Sequence, residues 1–121
     1  MNYKEIRKKT VVGTKHNRPK MGLNLPKGEF RFYNLAIDLI GLNTDKQALM
    51  FKINESEKKV KIIIEDKEDD NYHLTDRKGY KAFVNKNLGN IFSDIFGLKE
   101  SKTYYFKVDK INNEIHLCII E

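Results

Sequence analysis

Hydrophobic and polar positions alternate over several short stretches of this chain, and two other stretches change to a helical period. Phe30 and Phe32 fall on one side of an extended segment and Arg31 and Tyr33 on the other, the period-two pattern of a strand. Leu49, Phe51 and Ile53 alternate with Met50 and Lys52, and Val60, Ile62 and Ile64 alternate with Lys61 and Ile63. The turn residues 54–59 between them predict an antiparallel pair with one face on the core. Tyr72 and Leu74 predict the start of a further strand. Asp76-Arg77-Lys78-Gly79 predicts a turn with glycine where positive φ is wanted, and residues 80–84 predict the return.

Two helices interrupt these strands. Leu35 and Leu39 share one face of residues 34–40, Ala36 and Ile40 share its neighbour, and only Asp38 is charged, so this short helix must be buried on most sides. Asn34 is its predicted N-cap and Gly41 its left-handed C-cap. In the second helix Leu88, Ile91, Phe92, Ile95 and Phe96 fall at i, i+3, i+4, i+7 and i+8, with Asn87, Asn90, Ser93 and Asp94 opposite. Asn85 stands before it as Asn34 stands before the first, and Gly97 closes it.

The order helix, Gly-Leu, strand, turn, strand therefore occurs twice, in residues 34–65 and 86–121. Superposed, Gly41-Leu42 meets Gly97-Leu98. With one loop residue removed, Phe51-Lys52-Ile53 meets Phe106-Lys107-Val108, and Val60, Ile62 and Ile64 meet Ile115, Leu117 and Ile119. The predicted fold is α+β and β-rich: two tandem β-α-β-β pseudo-repeats, residues 28–66 and 79–121, packed as one domain over residues 28–121. Residues 1–27 precede it as an extended N-terminal arm, because Gly13, Pro19, Gly22 and Pro26 repeatedly break backbone order. Within that arm Thr10-Val11-Val12 has the character of a short strand, and Met21, Leu23 and Leu25 alternate as a strand edge does.

Charge sharpens the distinction between arm and body. Residues 1–31 carry nine basic side chains against Glu5 and Glu29, a net +7, while the whole chain carries +6, which leaves −1 for the other ninety residues. Such segregation fits an arm that meets a polyanion. Compositional drift toward lysine, in a chain also rich in asparagine and isoleucine, is the competing explanation. With 40% hydrophobic and 33% charged residues the chain has the make-up of a soluble globular domain, and a single core suffices at this length. No apolar run is long enough to span a membrane, no signal-peptide core opens the chain, and a single cysteine, Cys118, makes a cytoplasmic location the expectation.

Residues 28–42, GEFRFYNLAIDLIGL, resemble the core of AbrB-type transcription regulators, the swapped-hairpin DNA-binding fold. In that family a Gly-led strand, a short helix and a Gly-Ile or Gly-Leu are followed by a strand, a turn and a last strand. The resemblance covers most of residues 28–121 in two degenerate copies, and implies that one chain does what two subunits usually do. This chain departs from the family at Glu29, where an arginine is usual, at Tyr33, where a proline is usual, and at Ile37 and Asp38, which often are arginines. Those departures remove the usual DNA-reading face from the copy.

Little in the chain suggests bond-making chemistry. His16, His73 and His116 are widely separated, and no His or Cys pair has metal-ligand spacing. No nucleophile elbow, phosphate loop or dinucleotide fingerprint is present. The acidic run at residues 65–70 lacks the alternation and central glycine of a calcium loop and reads as a solvated connection. Cys118, between Leu117 and Ile119, reads as a small buried or edge side chain. Neither enzyme activity, cofactor nor metal is expected.

Binding surfaces remain. Arg7, Lys8, Lys9, Lys15, Arg18, Lys20 and Lys27 are candidates for neutralising phosphates. Arg31 with Tyr33, and Tyr105 with Lys107, offer the aromatic-basic mixture that single-strand binders use, whereas Phe30, Phe32, Tyr104 and Phe106 read as core. The leading expectation is a non-enzymatic nucleic-acid-binding protein, DNA or RNA, of the small phage or mobile-element regulator kind, acting as a monomeric pseudo-dimer or a homodimer. A second is a phage-type inhibitor of a host protein or nucleoprotein complex, such as an anti-CRISPR occupying a guide-RNA channel. A third is a virion structural component.

Overall fold

A computed structural model describes residues 18–120. The expectations for Arg7, Lys8, Lys9, Lys15 and the 10–12 strand lie outside the described residues. Eight strands and two helices make a β-rich α+β fold. In chain order they are β1 (Lys20–Asn24), β2 (Glu29–Tyr33), α1 (Asn34–Ile40), β3 (Gln47–Asn54), β4 (Lys59–Asp66), β5 (Thr75–Arg77), β6 (Tyr80–Val84), α2 (Lys86–Phe96), β7 (Thr103–Ile111) and β8 (Glu114–Ile120).

All eight strands join one antiparallel sheet in the order β3-β4-β8-β7-β1-β2-β6-β5. The sheet curls into a half-barrel, and ring contacts show how far. Six strand spacings separate β3 from β6, roughly 29 Å in a flat sheet. Yet the Phe51 ring of β3 lies 6.1 Å from the Phe83 ring of β6. The two sheet edges come together through Tyr72, which exchanges backbone hydrogen bonds with Leu49 at 2.8 and 2.9 Å. Curling is the expected outcome of right-handed strand twist accumulated over so many strands.

Alternation decides what fills the concave side. Met21 and Leu23 of β1, Phe30 and Phe32 of β2 and Phe106 and Val108 of β7 are all buried there, together with Val60 and Ile62 of β4 and Ile115 and Leu117 of β8. Both helices turn their apolar residues into the same core. Ala36 and Ile40 come from α1, and Leu88 and Phe92 come from α2. Phe92 sits at the centre, with ring centroids 5.1 Å from Phe30, 5.9 Å from Phe51 and 5.6 Å from Phe106, each pair edge-to-face as the aromatic quadrupole favours. Among the described residues, no helix packs on the convex side.

Both hairpins and both helices fall where the periodicity places them, and Gly41 and Gly97 adopt the left-handed C-cap conformation. Three expectations need correction. Residues 20–24 are not arm: β1 runs between β7 and β2 in the interior of the sheet, because Met21 and Leu23 supply two fully buried side chains to the core. Asn34 is the first helical residue, with Tyr33 at the cap position and no side-chain capping bond, whereas Asn85 does cap α2 through its Oδ1, which accepts from the Leu88 amide at 2.8 Å. Cys118 is exposed, since it lies on the convex face opposite Lys107 while Leu117 points inward.

Candidate nucleic-acid interface

Strand register brings residues far apart in the chain to one convex patch. Lys20 lies opposite Lys107, and Gly22 lies opposite Tyr105 on one side and Arg31 on the other. Tyr33 lies opposite Tyr80, and Arg31 opposite Ala82. All lie on the face opposite the core side chains of Met21, Phe32 and Phe106; on that face Lys107 is exposed, Arg31 and the tyrosines are half-buried, and Lys20 and Ala82 are buried. Three tyrosines thus come together across β7, β2 and β6. Tyr33 is 5.9 Å from Tyr80 and 6.5 Å from Tyr105, centroid to centroid.

Gly22 sets the height of these rings. A Cβ at this position would come 3.1 Å from the Tyr33 hydroxyl, 3.5 Å from Tyr33 Cε2 and 3.4 Å from Tyr105 Cε1. Lacking one, β1 lets both rings come close over its backbone.

Cations surround the rings. The Lys20 ammonium stands 5.9 Å from the Tyr105 centroid and the Arg31 guanidinium 5.3 Å from that of Tyr80, both within cation–π range. Arg31 Nε also donates to Glu29 Oε1 at 2.6 Å, and this bond raises the guanidinium's already high pKa against the opposing effect of burial. The pair fixes the fork in place and neutralises part of the patch. Lys107 lies 3.4 Å from Asp109 and remains half exposed. Burial pushes the Tyr33 phenol above its ordinary pKa, with Tyr105 adding to the effect and Arg31 opposing it. The ring is therefore neutral at physiological pH.

Of the residues singled out from sequence, Lys20, Arg31, Tyr33, Tyr105 and Lys107 meet on this patch. Arg18 is exposed just ahead of β1, where the Pro19 carbonyl accepts from the Val108 amide. Residues 1–17, which carry five basic side chains and Glu5, precede this point in the chain and lie outside the described residues. Lys27 does not join the patch. It is exposed in the β1–β2 turn at the opposite end of the strands, its amide donating to Asn24 Oδ1. Tyr80 was not singled out from sequence, since only the β2–β6 register places it against Tyr33 and Arg31.

A hollow of about 370 Å³ opens beside Tyr105, lined by Phe96, Leu98, Tyr104 and Ile119 among others. Among the described residues no group of three or more His, Cys, Asp or Glu is gathered as a metal site requires, and no helix is long and apolar enough to cross a membrane. No family model, curated protein or solved structure matches this chain.

Proposed function

We propose that this chain is a non-enzymatic nucleic-acid-binding protein that uses the convex face of β7, β1, β2 and β6 together with the basic residues preceding β1. The observation that carries the reading is the convergence of Tyr33, Tyr80 and Tyr105 with Arg31, Lys107 and the largely buried Lys20 on one face of the sheet. Rings supply stacking surface and cations supply phosphate neutralisation, the two components of sheet-based nucleic-acid recognition. The segment that precedes β1 in the chain carries the further basic residues Arg7, Lys8, Lys9 and Lys15.

We infer also that the body is a duplication with an AbrB-like unit as its ancestor. What supports this is that counterparts pair with each other, β2 with β6 and β4 with β8, and that Gly28 and Gly79 both take positive φ one residue before those counterpart strands.

The test is a fluorescence-anisotropy titration of labelled oligonucleotide with the full chain as a function of salt. Binding should weaken steeply between about 50 and 200 mM salt as counterion release is lost. Replacing Lys8, Lys9 and Lys15 with Gln should flatten the slope by about 0.7–0.9 for each phosphate contact removed. Binding that is absent, or insensitive to salt, overturns the proposal.

A further inference from the structure

We propose that the outer face of β3, β4 and β8 holds a compact phosphate-bearing ligand, of the size and charge of a diphosphate, in a hollow of about 400 Å³. The site lies away from the tyrosine patch and stands or falls separately from nucleic-acid binding.

Strand register builds it. Lys52 of β3 lies opposite Lys61 of β4, and Lys61 lies opposite His116 of β8, so three side chains from distant parts of the chain form one row. The row is on the outer face, because Val60 and Ile62 beside Lys61, and Ile115 and Leu117 beside His116, are buried in the core. Lys59 stands two residues from Lys61 on the same face. These four line the hollow together with Asn54 and Glu57. Solvent reaches them: the side chains of Lys59 and Lys61 are 67% and 41% exposed, and Lys52 is exposed as well.

Donors outnumber acceptors around this hollow. Asn54 Oδ1 accepts from the Ser56 hydroxyl at 2.9 Å and from the Glu57 amide at 3.1 Å, which fixes the side chain and leaves Nδ2 to donate to a ligand. Lys52 makes no ion pair among the described residues. Lys59 pairs with Glu57 at 3.1 Å and Lys61 with Glu114 at 2.6 Å, but both carboxylates are more than half exposed. Ion pairs so exposed contribute little to stability, so an anion can take over either ammonium. A ligand that accepts from three ammonium groups, an amide and an imidazole must be rich in oxygen and carry more than one negative charge. A phosphate group meets both conditions.

The limits of the row make the ligand compact. β3 is the edge of the sheet, and the residue opposite His116 on β7 is Asp109. The cationic row is therefore two strand spacings wide, about 10 Å. Along β4 the same face continues with Ile63 and Glu65, neither of which attracts an anion. A diphosphate fits within these bounds, whereas a nucleic-acid backbone carried straight across the sheet meets the Asp109 carboxylate.

The experiment follows backbone amide NMR shifts of the full chain as inorganic pyrophosphate is added at constant sodium chloride. Saturable shifts are expected at Lys52, Asn54, Lys59, Lys61 and His116, with a Kd of about 1 mM or tighter. Lys52→Gln and Lys59→Gln should each weaken binding about fivefold. Glu57→Gln, which frees Lys59 from its carboxylate, should strengthen it, and Lys99→Gln, an exposed position in the loop after α2, should leave it unchanged. Shifts that do not saturate, or that follow lysines over the whole surface with Lys99 among them, overturn the proposal. So does an oligonucleotide that moves these amides where pyrophosphate does not.

Discussion

Gly22 lies beneath Tyr33, with 3.1 Å between the Cβ it lacks and the tyrosine hydroxyl. The atoms that an alanine would meet are the outer ends of two side chains, not backbone. Gly22→Ala should therefore cost little stability, about 1 kcal/mol or less, while it lifts the Tyr33 and Tyr105 rings off β1. Oligonucleotide affinity should fall several-fold with an almost unchanged denaturation midpoint. Unchanged affinity would mean that the rings are not the binding platform.

Burial of the Tyr33 phenol has a consequence at alkaline pH. Its folded pKa lies above the ordinary 10.0, as does that of Tyr72, in both cases chiefly through desolvation. The unfolded chain releases these protons first. The stability they contribute is therefore complete below about pH 10 and lost as pH rises through the elevated folded values. Ultraviolet titration of phenolate should show a late-ionising fraction, smaller in Tyr33→Phe. All phenols ionising together near the ordinary value would contradict this.

Gly28 and Gly79 share a positive φ, of 65° and 88°, but not a neighbourhood. At Gly28 a Cβ would sit 2.7 Å from Lys86 Cα and 2.9 Å from its amide nitrogen, where the β1–β2 turn packs on the start of α2 and the Gly28 carbonyl accepts from the Asn85 amide. At Gly79 it would meet nothing within 4 Å. Gly79→Ala should cost only the left-handed penalty of about 1–2 kcal/mol. Gly28→Ala should cost clearly more, because backbone must also move. Urea denaturation midpoints of the two variants give the comparison, and equal losses would place the clash wrongly.

The two helix starts also differ. Asn85→Ala removes a capping bond to the Leu88 amide and should destabilise by about 1 kcal/mol. Asn34→Ala removes no capping bond and should fall within about 0.5 kcal/mol of the parent. Thermal unfolding of both variants checks the pair; an equal effect would put a cap at Asn34 after all.

How much of this was legible in the sequence depended on whether the signal was local. The helices, their closing glycines and the two long hairpins depend on neighbours in the chain, and alternation or the 3.6-residue period reports them directly. β1 does not. Its five residues, KMGLN, offer one buried pair between Pro19 and Pro26, and its partners lie on β2 and, more than eighty residues away, on β7. Without those partners Met21 and Leu23 look like an edge, and Lys20 looks like part of an arm. The binding face divides in the same way. Arg31, Tyr33, Tyr105 and Lys107 were visible as outward residues of strands, but Tyr80 acquires its place only through the β2–β6 register. Lys27 has the right chemistry and sits at the wrong end of the strand.

The most direct test of the central claim is a map of backbone amide NMR shifts in the full chain as an oligonucleotide is added. Shifts should concentrate on Lys20, Gly22, Arg31, Tyr33, Tyr80, Tyr105 and Lys107, with the β3–β4 turn and the Lys27 turn left unmoved. Shifts centred on those turns instead, or none at all, would contradict the assignment of the convex face.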